Sequence, residues 1–139
     1  MPGTLEQPRM AGTSSGRSAL AIISAITTAL ILVQAVLAGR GWFIDHEFID
    51  IHGVVGNVVV LAAIAQAVIA FLALRRRQAG RSLVGLSLAI LALVVVQIGL
   101  GYAGRDSGTA ASLHVPNGVL IFGLSVATTV LTWGRGRAA

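Results

Sequence analysis

Residues 51–74 read IHGVVGNVVVLAAIAQAVIAFLAL and are followed at once by Arg75, Arg76 and Arg77. The stretch contains no Asp, Glu, Lys or Arg, and a helix needs about 20 apolar residues to cross a bilayer. Three further stretches share this character, at 19–38, 83–103 and 113–133. We therefore predict an all-α integral membrane protein that forms an up-down-up-down four-helix bundle over residues 18–134. The flanking residues 1–17 and 135–139 are predicted to be cytoplasmic tails, the first of which is flexible.

The composition agrees with membrane insertion. Of 139 residues, 55% are hydrophobic and only 11% are charged, which is more apolar surface than a soluble core of this size could bury. The net charge of +5 does not indicate nucleic-acid binding, because the arginines lie between and outside the apolar stretches. The absence of cysteine excludes disulfides, thiolate-bound iron–sulfur clusters and thioether-attached haem.

Arginine placement predicts the orientation, since positively charged loops stay cytoplasmic. The two tails and the middle loop hold eight arginines, and the two remaining loops hold only Arg40 and Arg105. We expect a protein of the bacterial cytoplasmic membrane with both termini inside and the histidines on the outer side. The first apolar run could pass for a signal peptide, but it is longer than an ordinary one and carries part of the repeat described next, so we expect it to be retained.

The two halves of the chain repeat a pattern of glutamine, glycine and histidine. Aligning them on the histidines gives these pairs: Gln34 with Gln97, Leu37 with Leu100, Ala38 with Gly101, Gly41 with Gly104, His52 with His114, and Gly56 with Gly118. Glutamine and histidine are uncommon in membrane segments, so their agreement carries most of the weight. The pattern predicts a tandem duplication of a helix pair, with the copies related by a two-fold axis along the membrane normal.

The two histidines of the repeat suit haem iron. His52 and His114 begin the second and fourth helices, which run in the same direction and lie diagonally across such a bundle. Their imidazoles can therefore share one iron, provided that the rings approach closely, because metal–nitrogen bonds are about 2 Å long. We predict a haem b site with His52 and His114 as the metal ligands.

Other residues of the predicted site follow from the repeat and the helical faces. Gly56 and Gly118 lie one turn beyond the histidines, where they leave room for a macrocycle or simply allow close helix packing. Asp50 or Glu47 is expected to orient one imidazole and Asn117 the other. The remaining candidates, Gln34 and Gln97, are expected to reach haem propionates or to hydrogen-bond between helices.

Alternatives remain at this point. A histidine at a helix mouth can be merely interfacial. His46 has no counterpart in the second half and is interpreted as a loop residue, although His46, His52, His114 and a carboxylate could also bind zinc. The leading function is a small b-type cytochrome-like protein for electron transfer or haem handling, with a membrane redox or haem-handling partner. The alternative is a cofactor-free accessory protein of a larger membrane complex.

Enzymatic chemistry and transport find less support. The acids lie in the loops, and no cysteine nucleophile exists, so we predict no catalytic residues. Small drug exporters use a carboxylate within the membrane, and none of the four apolar stretches contains one.

The chain resembles one four-helix half of the haem A synthases over roughly residues 33–133. The resemblance is carried by a glutamine and glycine late in one helix and a histidine early in the next, twice over. It implies a haem between His52 and His114 near the outer face, with Gln34 and Gln97 as the helix-end glutamines. The chain also resembles small actinobacterial four-helix membrane proteins with paired histidine motifs. It departs from the synthases in having four helices instead of eight, and Ile49 stands where they carry a catalytic acid.

Overall fold

The computed structural model describes residues 15–134, and this part of the chain contains four helices. They are α1 (Ser15–Phe43), α2 (Glu47–Arg75), α3 (Arg81–Ala103) and α4 (Gly108–Gly134). Each helix packs against two others, in the cyclic order α1, α2, α3, α4, so that α2 and α4 are diagonal partners. All four are long and apolar enough to cross a membrane. The prediction of an all-α membrane four-helix bundle is confirmed.

The helices extend beyond the predicted apolar stretches. The sequence criterion stops at the first charge, whereas a helix continues through the headgroup region with charged residues such as Arg40, Glu47 and Asp50. Residues 15–17, which were assigned to the N-terminal tail, belong to α1. The rest of that tail and the predicted tail at 135–139 lie outside the described residues.

The loops at the histidine end are correspondingly short, at 44–46 and 104–107. Asp45 Oδ1 accepts the backbone N–H of Glu47 over 3.0 Å, and Ser107 Oγ accepts that of Ala110 over 3.3 Å. These side chains satisfy backbone donors where α2 and α4 begin. His52 and His114 consequently lie more than one turn inside their helices and not at the helix mouths.

Two apolar clusters fill the bundle interior. The larger contains Ile31, Val59, Ala63, Ile90, Val94 and Ile121, and it begins two turns beyond the histidines. The smaller contains Leu20, Ala70 and Leu83. It lies near the arginine-rich end of the bundle, which carries Arg75, Arg76, Arg77 and Arg81. The outward faces of the helices carry exposed large apolar side chains such as Leu61 and Val119, as expected of surfaces that face lipid.

A polar layer lies between the two clusters. Every helix contributes to it, and six polar side chains are at most 1% exposed: Ser24, Thr27, Gln66, Ser87, Ser125 and Thr128. Ser87 and Thr128 donate to backbone carbonyls of their own helices over 2.8 Å, and Gln66 Nε2 donates to Ser87 Oγ over 3.4 Å. Such bonds within and between helices satisfy only part of the layer. Ser24 Oγ, Gln66 Oε1 and Ser125 Oγ are buried and have no hydrogen-bond partner among the described residues.

The polar layer extends the repeat beyond the residues that the sequence analysis aligned. Ser24 and Ser87, and likewise Leu20 and Leu83, have the spacing that separates Gln34 from Gln97. The signal was present in the sequence, but serine and leucine are common in membrane helices and did not stand out there. Both pairs are buried, so the duplication shapes the bundle along most of its length.

Candidate functional site: paired histidines at one end of the bundle

The imidazoles of His52 and His114 face each other across the bundle. Their ring centroids are 6.1 Å apart and the ring planes are inclined by 59°. They come from α2 and α4, which are diagonal partners, so the approach is made across the interior and not between neighbouring helices. The predicted juxtaposition of the two side chains is therefore present in the structure.

Each histidine is held by the same backbone contact. His52 Nδ1 lies 3.1 Å from the carbonyl oxygen of Gln34, and His114 Nδ1 lies 3.1 Å from that of Gln97. A carbonyl oxygen only accepts, so in both hydrogen bonds Nδ1–H is the donor. In a neutral imidazole this leaves the lone pair on Nε2, which is the tautomer that can bind a metal through Nε2.

The prediction that acidic residues and Asn117 orient the imidazoles is wrong. Glu47 and Asp50 are exposed in the first turn of α2, and the backbone carbonyl of Gln34 holds His52 instead. Asp50 precedes His52 by two positions, which places the two side chains on different faces of the helix. Asn117 binds elsewhere, as described next.

A side-chain network surrounds the second histidine. Gln97 Nε2 donates to the backbone carbonyl of His114 over 2.9 Å. Asn117 Nδ2 donates to Gln97 Oε1 over 2.7 Å and to the carbonyl of Leu93 over 3.1 Å. These hydrogen bonds connect the end of α3 to the beginning of α4 at the level of His114. Gln97 thus bonds between helices, which was one of its two predicted roles.

The first half lacks this network. Val55 occupies the position in α2 that corresponds to Asn117 in α4. Gln34 Nε2 is buried and has no hydrogen-bond partner among the described residues. The two halves therefore match in their histidines and differ in the hydrogen bonds of their amide side chains.

The repeated glycines serve close packing. A Cβ at Gly118 would lie 3.1 Å from Gln97 Nε2, and one at Gly56 would lie 3.8 Å from Gln34 Oε1. A Cβ at Gly101 would lie 3.1 Å from Cε1 of His114. Gly118 and Gly101 thus make space for the side chains of Gln97 and His114, which accounts for their positions without a macrocycle, whereas a Cβ at Gly56 would be at ordinary contact distance.

A second glycine pair brings the helices of each hairpin together. A Cβ at Gly41 would lie 2.9 Å from the backbone nitrogen of Ile49, and one at Gly104 would lie 3.2 Å from Cα of Ala111. Small residues at such crossings let backbones approach closely in membrane bundles. The close approach places each histidine against the carbonyl of the preceding helix.

The remaining histidine takes no part in the site. His46 is exposed and occupies the N-cap position of α2, in agreement with its prediction as a loop residue. A metal ion that is not held in a macrocycle needs several protein ligands. Within residues 15–134, no group of three or more His, Cys, Asp or Glu side chains could hold such an ion. The predicted zinc alternative with His46 and a carboxylate does not assemble there.

Comparison of the chain with models of known protein families, with curated proteins and with solved structures gave no match. What can be said of the site therefore follows from its own geometry.

Proposed function

We propose that the chain binds one haem b between His52 and His114 and serves in electron transfer or haem handling. The separation of the two rings carries this proposal. Metal–imidazole bonds are about 2 Å long and a ring centroid lies about 1 Å from its nitrogens, so imidazoles on opposite sides of one iron have centroids about 6 Å apart. The observed 6.1 Å agrees with that arrangement.

The hydrogen bonds at Nδ1 also support the proposal. Histidines that bind metals usually donate their other ring N–H to a carbonyl or carboxylate, which fixes the tautomer and the ring orientation. Both His52 and His114 do so toward a backbone carbonyl.

The residues around the rings would tune and shield such a group. A haem held by two histidines supplies one-electron redox chemistry when bound. The apolar cluster that contains Ile31, Val59, Val94 and Ile121 excludes water on the side that faces the membrane interior. Gln34 Nε2 offers a buried donor that has no partner among the described residues.

We further propose that the histidine end faces the outside of a bacterial cytoplasmic membrane, with a redox or haem-handling partner on that side or within the membrane. The four acids of the described chain, Asp45, Glu47, Asp50 and Asp106, belong to the histidine end. Arg75, Arg76, Arg77 and Arg81 belong to the other end, which the positive-inside rule assigns to the cytoplasm.

An absorption spectrum of the detergent-purified protein, oxidised and then reduced with dithionite, tests the haem proposal. We expect the α-band of a low-spin bis-histidine haem in the wild type and in His46→Ala, and its loss in His52→Ala and in His114→Ala. A wild-type protein that stays colourless after haem is added would overturn the proposal. The paired histidines would then serve packing, as in a cofactor-free accessory protein.

A further inference from the structure

A basic cavity opens at the end of the bundle opposite the histidines. Its volume is about 570 Å³, and it is lined by Arg17, Arg76, Arg77, Gln78, Ala79 and Gly80. Arg17 comes from the first turn of α1 and the other residues come from the turn between α2 and α3. Two separate parts of the chain thus bring three arginines to one concave surface.

Arg17 is only partly exposed, and its Nε is buried without a hydrogen-bond partner among the described residues. A buried donor without a partner is unfavourable, more so when it belongs to a charged group. The guanidinium fork matches the paired oxygens of a phosphate group. The guanidinium of Arg17, which lines the cavity and is not satisfied within the described chain, therefore suits an anion held there.

The backbone at Arg77 gives a second, independent indication. Its φ is +57°, and it is the one described non-glycine residue with positive φ. The backbone N–H of Gln78 bonds to the carbonyl of Ala73, as at helix ends where glycine usually takes the left-handed position. An arginine held in a conformation that favours glycine suggests that its side chain is needed there.

The charges at this end are unbalanced. The described arginines near the cavity are Arg17, Arg75, Arg76, Arg77 and Arg81, whereas every described acid belongs to the histidine end. No acidic side chain of residues 15–134 is therefore placed to neutralise the cavity. The local field favours an anionic ligand.

We propose that this cavity binds the phosphate group of an anionic lipid headgroup from the adjoining leaflet. The chemistry shown is that of a phosphate site. Its position at the end of four membrane-crossing helices places it at headgroup depth, where basic pockets between helices recognise anionic lipids. Three arginines at one concavity distinguish it from the general positive charge of a cytoplasmic loop.

Native mass spectrometry of the full-length, delipidated protein in neutral detergent tests the site, with dioctanoyl phosphatidylglycerol as the probe. We compare it with the phosphatidylcholine analogue and with inorganic phosphate. Arg17→Gln and Arg77→Gly should each weaken binding of the anionic lipid about tenfold, the loss expected for one charge-assisted phosphate contact. Arg77→Gly removes the side chain while suiting the left-handed backbone, so it keeps the test valid if Arg17→Gln fails to fold.

Arg81→Gln is the matched control. It makes the same charge change at the same end, but Arg81 does not line the cavity. Binding that Arg81→Gln weakens as much as Arg17→Gln, or equal binding of the two lipids, would overturn the site in favour of diffuse attraction. Binding of inorganic phosphate as tight as that of the lipid, with the same arginine dependence, would overturn the lipid assignment and leave a site for free phosphate.

Discussion

Asn117 donates through Nδ2 to Oε1 of Gln97 over 2.7 Å, and the corresponding residues of the first half, Val55 and Gln34, cannot form such a bond. The two halves of the bundle thus match in the hydrogen bonds of their histidines and differ in the hydrogen bonds of their glutamine side chains. In the second half the amide side chains bond α4 to α3, whereas in the first half Gln34 Nε2 has no hydrogen-bond partner within residues 15–134.

The Gln97–Asn117 network is expected to stabilise the hairpin of α3 and α4. Asn117→Val breaks the bonds to Gln97 and Leu93, and we expect a loss of about 1 kcal/mol in the free energy of unfolding, because interhelical hydrogen bonds in membranes are modest. Thermal denaturation in detergent measures this loss. Asn57→Val is the control, since Asn57 is exposed and bonds only weakly, over 3.4 Å, to Gly53 of its own helix. Equal effects of both substitutions would contradict a network role.

The two glutamines should respond in opposite directions to the same substitution. Gln34→Leu removes an unpaired buried donor, so we expect the haem-free protein to gain about 1 kcal/mol in stability. Gln97→Leu removes a donor and an acceptor that are both bonded and should lose about as much. Thermal denaturation of the haem-free protein distinguishes them. Destabilisation by Gln34→Leu in that form would show that its amide has a partner within the chain.

The four-helix bundle and the histidine pair could be predicted from the sequence because long uncharged stretches and recurring histidines are distinctive patterns. An uncharged stretch such as 51–74 has few alternatives to a membrane helix, and His52 and His114 recur at matching positions in helices that must lie diagonally. The sequence could not predict their hydrogen-bond partners. Nδ1 of His52 bonds to a backbone carbonyl, and every residue carries one, so no residue type signals the contact.

Two further features, the depth of the histidines and the bond between Asn117 and Gln97, could not be predicted from the sequence, for different reasons. The depth of the histidines depends on helix ends, and α2 extends past the first charge, Asp50, to Glu47 because charged side chains are tolerated at the headgroup level. The bond between Asn117 and Gln97 depends on the rotation of α3 against α4, which hydropathy does not specify. Patterns place helices, whereas side-chain partners follow from how the helices pack.

Substitutions at Gly56 and Gly118 distinguish a role in helix packing from a role in cofactor binding. A Cβ at Gly118 would lie 3.1 Å from Gln97 Nε2, so Gly118→Ala must displace the amide and should cost about 1 kcal/mol in stability. At Gly56 the nearest atom would be 3.8 Å away, and Gly56→Ala should be neutral or gain up to about 1 kcal/mol from helix propensity. Thermal denaturation of the haem-free variants measures both effects. Haem content then shows whether the glycines also admit the macrocycle, in which case both variants should lose it.

The crossing of α1 and α2 should tolerate no side chain at Gly41. A Cβ there would lie 2.6 Å from Ile49 Cδ1 and 2.9 Å from its backbone nitrogen, so Gly41→Ala has to separate the helices. We expect a loss of about 2 kcal/mol in the free energy of unfolding, together with a weaker hold of Gln34 on His52 and reduced haem content. Gly39→Ala, with nothing within 4 Å of its Cβ, is the matched control and should leave haem content unchanged and stability unchanged or higher by up to about 1 kcal/mol. If Gly41→Ala matched that control in stability and in haem content, the close crossing would not be what positions His52.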